Sequence, residues 1–390
     1  MALGVVSLLN DAASEMILPL LPTFLVGLPG GGAAVLGVME GIAESLSAVL
    51  KLAGGWLSDR TGKRLPWLFA GYGMAVLSRP IMGLAGSAWH VVVLRGVDRL
   101  GKGVRTAPRD AMLAASAGPE NRGLVFGFHR AMDHAGAILG PVVALILMNW
   151  CGLETRTIFL AAIVPGILVL VALAAASSRP RGGLAPCQGA SRPQRATSLP
   201  RLTLRGTHPS FRLYLLAVLL FTLGNSSDVF LLLRAKDAGV DLAMLPVLWI
   251  VLHASKITLS VVAGMLSDRV GRRVVIAAGW LVYGVVYLLF GMATETWHVW
   301  ALFAIYGLHY GLTEGAERAL VTDLVSRDAL GTAFGLFHFT VAIAALPSSI
   351  LMGFLYQNMG PLPAFATGAA FAWAAMLVLL AVRPVKTATR

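Results

Sequence analysis

Six ionisable residues recur at helical spacing along one stretch of the chain: Arg95, Asp98, Arg99, Lys102, Arg105 and Arg109. At 100° per residue they fall within a face roughly 120° wide. The residues between them are largely apolar, so the stripe would run from the depth of an apolar layer to its edge. A charge at the centre of a bilayer costs about 2.5–3.5 kcal/mol on insertion scales, so these groups should face protein or water. Two kinds of chemistry suit the set. Guanidinium groups bind anions. A carboxylate held between dry surroundings, which favour its neutral form, and a guanidinium, which favours its charged form, can load and release a proton near neutral pH. Arg105 and Arg109 equally suit a snorkelling helix end. Arg95, Asp98 and Arg99 do not, and they are the core of the candidate site.

Other ionisable residues fall into smaller groups. Asp11 and Glu15 stand one helical turn apart, and Glu40, Glu44 and Lys51 share a face. His129 and Asp133 share one side of a further helix, with Arg130 and His134 on another. Asp98 and Asp133 are the expected partners of Arg95, Arg99 and Arg130 and the expected proton carriers, with Asp11 and Glu15 behind them. A permanently ion-paired network is the competing reading. The second half of the chain is milder. It offers Asn225, Ser226, Ser227 and Asp228 in succession, then Trp249, His253 and Lys256 on one face, then Tyr306, Tyr310, Glu314 and Glu317 aligned on another. Aromatic rings beside polar groups suit a cavity for an amphipathic small molecule. Plain packing is the competing reading for the rings.

The elements that must carry these residues follow from composition. The 390 residues are 57% hydrophobic and 13% charged, against about 45–50% and about 25% in soluble domains. That balance excludes disorder and argues against a soluble enzyme. A membrane crossing takes about 20 apolar residues and a turn, so the length suffices for about twelve. Apolar runs punctuated by Gly and Pro predict helices at 3–27, 33–58, 65–85, 88–112, 122–149, 155–177, 211–235, 242–266, 273–293, 297–322, 331–357 and 361–382. Spans 1, 2, 4, 5, 7, 8 and 10 carry ionisable residues, and span 3 carries Arg79 alone. Beyond their first two residues, spans 6, 9 and 12 carry none. Every third helix is thus built for lipid while the others enclose something polar. No stretch remains for a separate catalytic domain, so no enzyme activity is expected. No Gly-x4-Gly-Lys-Ser/Thr loop occurs, so a gradient, most simply of protons, should supply the energy. Cys151 and Cys187 are expected on opposite membrane faces, and no metal-ligand spacing or cofactor motif is present. The first apolar run continues past Pro19 and Pro22 as a crossing helix rather than a cleavable signal. The chain begins almost inside that run, which points to a start further upstream.

Lys and Arg outnumber Asp and Glu by 31 to 19, a net charge of +12. The bases cluster in alternate loops: Arg60, Lys63 and Arg64, then Arg269, Arg272 and Arg273, then the tail with Arg383, Lys386 and Arg390. Segment 178–210 has six arginines and no acid. The positive-inside rule accounts for this pattern without a nucleic-acid partner. It places both termini and segment 178–210 in the cytoplasm, in the inner (cytoplasmic) membrane of a cell. That segment reads as a flexible linker between an N-terminal six-helix bundle at 1–177 and a C-terminal one at 211–390. An internal repeat supports the division. GWLSDRTGKR at 55–64 returns as GMLSDRVGRR at 264–273, and Phe126-Gly127 returns as Phe334-Gly335 at nearly the same offset. The expected fold is all-α and integral to the membrane, with twelve helices in two pseudo-symmetric bundles in parallel orientation.

At GWLSDRTGKR the sequence resembles the Major Facilitator Superfamily of secondary transporters, and the resemblance covers essentially the whole chain. Gly55, Leu57, Ser58, Asp59, Arg60, Gly62, Lys63 and Arg64 match that family's loop signature. Gly264, Leu266, Ser267, Asp268, Arg269, Gly271, Arg272 and Arg273 match it again. In the family this cluster latches the outward-facing state, so these residues are the candidate conformational latch. Gly127-x8-Gly136-x3-Gly140-Pro141 resembles the family's antiporter motif, whose small residues let helices approach and whose proline bends them. Ala144-Leu145 stand where the motif ends in Gly-Gly, and His129, Arg130, Asp133 and His134 lie where it lacks charge. At span 4, Arg99-x-x-Lys102-Gly103 stands where the family has Arg-x-x-Gln-Gly.

The resemblance implies a monomeric transporter working by alternating access in the bilayer, with spans 1, 4, 7 and 10 lining a cavity for a small-molecule substrate and protons. Proton-coupled export of a drug-like or metabolite substrate is the first expectation. Proton-coupled uptake of an organic anion is the second, because the N-terminal half carries many buried bases. A membrane assembly factor without flux is the third. Asp98→Asn or Asp133→Asn is expected to abolish gradient-driven transport in a folded protein.

Overall fold

A chain surrounded by lipid must satisfy every backbone N–H and C=O from within, which leaves the helix as the economical solution for each apolar run. The computed structural model describes residues 2–61, 64–116, 122–178, 208–325 and 330–382, and these contain helices and no strand. In chain order they are α1 Ala2–Glu15, α2 Leu21–Val26, α3 Ala33–Thr61, α4 Leu65–Met82, α5 Ala88–Ser116, α6 Arg122–Asn149, α7 Thr155–Ala161, α8 Ile163–Ser177, α9 Pro209–Gly224, α10 Val229–Asp237, α11 Leu245–Val270, α12 Arg272–Met292, α13 Thr296–Leu324, α14 Leu330–Met359 and α15 Pro361–Ala381. Seven stretches among the described residues are long and apolar enough to cross a membrane. The stripe-bearing α5 is outside that set because of its charge.

Each expected span has its counterpart, but three are interrupted. Span 1 divides into α1 and α2 because Pro19 has no N–H for the Glu15 carbonyl, and Pro22 opens α2 in its first turn. Span 6 divides into α7 and α8, where Pro165 has no N–H for the Ala161 carbonyl. Span 7 divides into α9 and α10 at Asn225, Ser226, Ser227 and Asp228. Short polar side chains offer the backbone alternatives to the helical ladder, and Asn225 leaves helical geometry at φ −91° and ψ 82°. The expectation of continuous helices at these three places is therefore corrected.

The chain forms two compact units. The first comprises Met1–Val35, Ile42–Leu199 and Leu242–Ile250, and the second comprises Leu36–Gly41, Pro200–Asp241 and Val251–Arg390. Residues 179–207, most of the expected linker, lie outside the described residues. In the first unit, Leu3, Val6, Leu68, Tyr72, Leu113, Val169 and Leu173 form a buried cluster joining α1, α4, α5 and α8. Helices α4 and α5 touch backbone to backbone. A Cβ placed on Gly71 would lie 2.6 Å from the Gly101 oxygen, and one on Gly101 2.4 Å from the Gly71 oxygen. In the second unit the packing is aromatic: Phe221 stacks on Trp280 at 4.7 Å, and Tyr283 on Tyr287 at 4.2 Å.

Polarity is inverted relative to a water-soluble protein. Leu77, Leu84, Val93, Val164 and Leu377 are exposed, whereas Glu40, Arg79, Arg95, Asp98, Arg99, Arg105 and His129 are buried. A lipid solvent makes that the favourable arrangement.

Candidate functional site

Two polar clusters stand out, one in each unit. In the first unit the deep part of the α5 stripe gathers on one carboxylate. Arg79 donates from Nε to Asp98 Oδ1 at 3.0 Å and from Nη1 to the Asn10 carbonyl at 3.0 Å. Arg95 Nη1 lies 3.6 Å and Arg99 Nε 3.9 Å from Asp98 Oδ2. Arg99 also reaches Glu44, half-exposed on α3, at 3.7 Å. Helical spacing puts Arg95 and Asp98 on one side of α5. The close α4–α5 crossing then brings Arg79, the single charge of an apolar span, against the same carboxylate. The outer part of the stripe turns elsewhere. Arg105 lies 4.6 Å over the Tyr72 ring and donates to the Gly71 carbonyl at 3.2 Å. Arg109 pairs with its neighbour Asp110 at 3.0 Å, and Lys102 is exposed.

Asp133 is not a partner of the deep arginines. It accepts a hydrogen bond from Ser7 of α1 and faces His129 Nδ1 at 3.4 Å. Asp11 accepts from Asn10 Nδ2 at 2.8 Å, and Glu15 from the Trp249 indole at 2.7 Å. A Cβ on Gly136 would come within 2.5 Å of the Leu8 oxygen, and one on Gly140 within 2.5 Å of the Ala12 oxygen, so α6 lies directly on α1. Pro141 sits within α6, which continues to Asn149.

In the second unit the break between α9 and α10 presents Asp228 to three donors. Tyr310 donates at 2.8 Å and Tyr306 at 3.0 Å, and the Lys256 ammonium lies at 3.2 Å. That ammonium also lies 3.6 Å from the centre of the Tyr310 ring. Ser227 donates to buried Glu40 at 3.0 Å. The four aligned residues of α13 do not act together. Tyr306 and Tyr310 serve Asp228, Glu317 accepts from the Trp280 indole at 3.0 Å, and exposed Glu314 pairs with Arg318 at 3.4 Å.

Of the repeated loop signature, Arg272 donates to Asp323 at 2.6 Å and to the Ala319 carbonyl at 2.8 Å, and Arg273 donates to the Val382 carbonyl. Gly271 has φ +99°, a conformation that side chains with a Cβ rarely adopt. Arg64 immediately precedes α4. The side chains of Asp59, Arg60, Arg130, Asp268 and Arg269, with Gly55, Gly62, Lys63, Gly127 and Gly264, lie outside the described residues. Among the described residues no group of three His, Cys, Asp or Glu side chains is placed to hold a metal ion. The sequence reading assigned Arg79, Asn10 and Ser7 no role. Only Arg79 carried a signal, as a lone charge in an apolar run.

Apolar helices turned outward and charge turned inward define a multi-pass membrane protein. The family model of the Major Facilitator Superfamily matches residues 3–255 and 253–390. The chain belongs to the Major Facilitator Superfamily, and is a secondary transporter of that class. It is 35% identical over 384 residues to an uncharacterised MFS-type transporter of Methanocaldococcus jannaschii, covering 97% of this chain and 93% of that protein. The multidrug resistance protein MdtG of Enterobacter lignolyticus is 30% identical over 151 residues, 37% of this chain and 35% of that one. Among solved structures, a peptide transporter POT superposes with TM-score 0.79 at 14% identity, covering 98% of this chain and 93% of that one. The xylose transporter XylE from E. coli superposes with TM-score 0.75 at 16% identity, covering 100% and 96%. At these identities the superpositions establish the shared fold.

Proposed function

We propose that the protein is a proton-coupled exporter of a small organic anion or anionic drug-like molecule, working by alternating access in the cytoplasmic membrane. The observation that carries this reading is the burial of four guanidinium groups, those of Arg79, Arg95, Arg99 and Arg105, on two adjacent helices. Buried arginines in a membrane protein mark a path for an anionic group, because the cost of their burial is offset by what binds there. Asp98, held by three of them, serves in this reading as the fixed anchor of the cluster. The Asp133 and Asp228 clusters, whose members include neutral hydroxyls, serve as the proton-carrying sites. Two arguments favour export. The close seating of α6 on α1 at Gly136 and Gly140 supports the resemblance to the antiporter motif. An interior-negative membrane potential also drives an anion outward, by about 2.3 kcal/mol per charge per 100 mV.

Thermal-shift screening of the purified protein against organic anions and cations, at two pH values, tests the substrate class. A ligand at about 100 times its Kd adds about 2.7 kcal/mol to stability. Stabilisation by anions that is lost in Arg95→Gln is the expected result. Stabilisation by cations alone overturns the reading. Direction is read in membrane vesicles with an imposed pH gradient and the anion so identified. Accumulation is expected in everted vesicles, and accumulation only in right-side-out vesicles would establish uptake instead.

A further inference from the structure

The α1–α6 contact of the first unit contains a buried imidazole with one nitrogen in use and one open. His129 is 3% exposed. Its Nδ1 faces Asp133 Oδ2 at 3.4 Å, and its Nε2, fully buried, has no hydrogen-bond partner. A neutral ring with its hydrogen on Nδ1, toward the carboxylate, leaves the Nε2 lone pair as a vacant acceptor. The other Asp133 oxygen is held by Ser7 of α1, and Arg109 Nη1 lies 3.4 Å from that same hydroxyl.

Among the described residues, the charged groups around this pair come from each neighbouring element. Helix α1 brings Asp11, whose carboxylate acts on Asp133, and Glu15, which is engaged by Trp249. Helix α5 brings Arg109, already paired with Asp110. The Arg156 guanidinium of α7 is turned to the carbonyls of Gly83 and Ala85. The short 3-10 turn Leu242–Met244 has no ionisable side chain. On α6 itself, His134 is exposed. Two carboxylates, Asp11 and Asp133, thus face one another across α1 and α6 beside an arginine that already has a partner.

We infer that His129 is a proton-binding group of this unit, with Asp133 as its counter-ion and the Ser7 hydroxyl of α1 as the group that senses the change. One proton from water binds Nε2 and is later returned to water, and no other bond is made or broken. As an imidazolium, His129 attracts Asp133 Oδ2 more strongly, against the pull of Ser7 on Oδ1. On losing the proton it keeps only the weaker neutral contact, and the carboxylate settles toward Ser7. Because Gly136 and Gly140 press α6 onto α1, a change in the strength of that hydrogen bond is transmitted to α1 itself. This inference rests on the proton-coupled reading above and assigns the proton a site there.

The full-length protein in lipid nanodiscs, labelled with 15N-histidine, provides the test. One imidazole signal, identified by its loss in His129→Asn, should report protonation of the ring within the pH range over which the protein stays folded. Asp133→Asn should move its midpoint by about one pH unit or more. Hydrogen exchange of the α1 amides, corrected for intrinsic rates, should change about fivefold across that range in the wild type and become flat in His129→Asn, whose amide keeps a donor for Asp133. A His129 signal that does not titrate, or that ignores Asp133→Asn, overturns the proposal. So does an α1 response that survives His129→Asn. If the imidazole behaves as expected while no pH gradient drives transport in vesicles, the proton-coupled reading fails and the dyad stands. Unaltered gradient-driven transport in His129→Asn would remove the dyad from coupling and leave that reading intact.

Discussion

Asp98 in the first unit and Asp228 in the second are both carboxylates inside a helix bundle, yet they are neutralised by different chemistry. Asp98 meets three guanidinium groups, which keep their charge at any accessible pH. Asp228 meets two phenols and one ammonium, and a phenol can donate or accept as its partner changes charge. The first arrangement cannot relax without stranding buried cations. The second tolerates a change in the carboxylate, because the phenols can rebond and the ammonium rests over the Tyr310 ring. Residue type alone would rank the two aspartates together. Their donors make one a fixed electrostatic frame and the other an adjustable site.

The largest effect expected from this contrast is on stability. Asp98→Asn removes the charge shared by Arg79, Arg95 and Arg99, and breaking a buried pair costs about 3–5 kcal/mol. A large drop in thermal midpoint and yield is expected, in place of the folded but inactive protein that the sequence suggested. An unchanged midpoint in purified Asp98→Asn would erase the distinction between the clusters.

A middle-sized effect is expected at Asp228. Tyr310→Phe removes one charge-assisted hydrogen bond, worth about 1.5–3 kcal/mol. A double-mutant cycle of Lys256→Met with Asp228→Asn should show coupling of about 0.5–3 kcal/mol in denaturation of the purified protein. Coupling above the cost of Asp98→Asn would mean the second cluster is the rigid one.

The smallest effect belongs to the loop signature. Arg272–Asp323 is a short but largely exposed pair, and exposed pairs contribute about 0–1 kcal/mol. Asp323→Asn should leave the thermal midpoint nearly unmoved, so any loss of transport in that variant would come from conformational exchange rather than stability.

Much of the architecture was legible in the residues. The spans follow from apolar length and the repeat from GWLSDRTGKR and GMLSDRVGRR, whereas the sequence reading set Asp133 beside arginines and the structure sets it beside His129. The breaks at Pro19 and at Asn225 to Asp228 were not expected, although a missing N–H and competing side chains both end helices. The grouping of Tyr306, Tyr310, Glu314 and Glu317 was misleading. A shared face says nothing about how far apart along the helix axis the partners lie, and Glu317 stands three turns from Tyr306, beside Trp280 instead of Asp228.

What the sequence determined by itself is the solvent and the alphabet of this protein. Apolar runs of membrane length, loops rich in bases, and charge confined to particular helices are local properties, readable because lipid penalises every exception. Which charges meet was decided only in three dimensions. Arg79 reaches Asp98 because Gly71 and Gly101 let two backbones touch, and Asp228 gathers Tyr306, Tyr310 and Lys256 because a helix stops beside them. Periodicity gives the direction in which a side chain leaves its own helix. The rotation, depth and approach of the neighbouring helix, set by packing along its whole length, decide what it finds there.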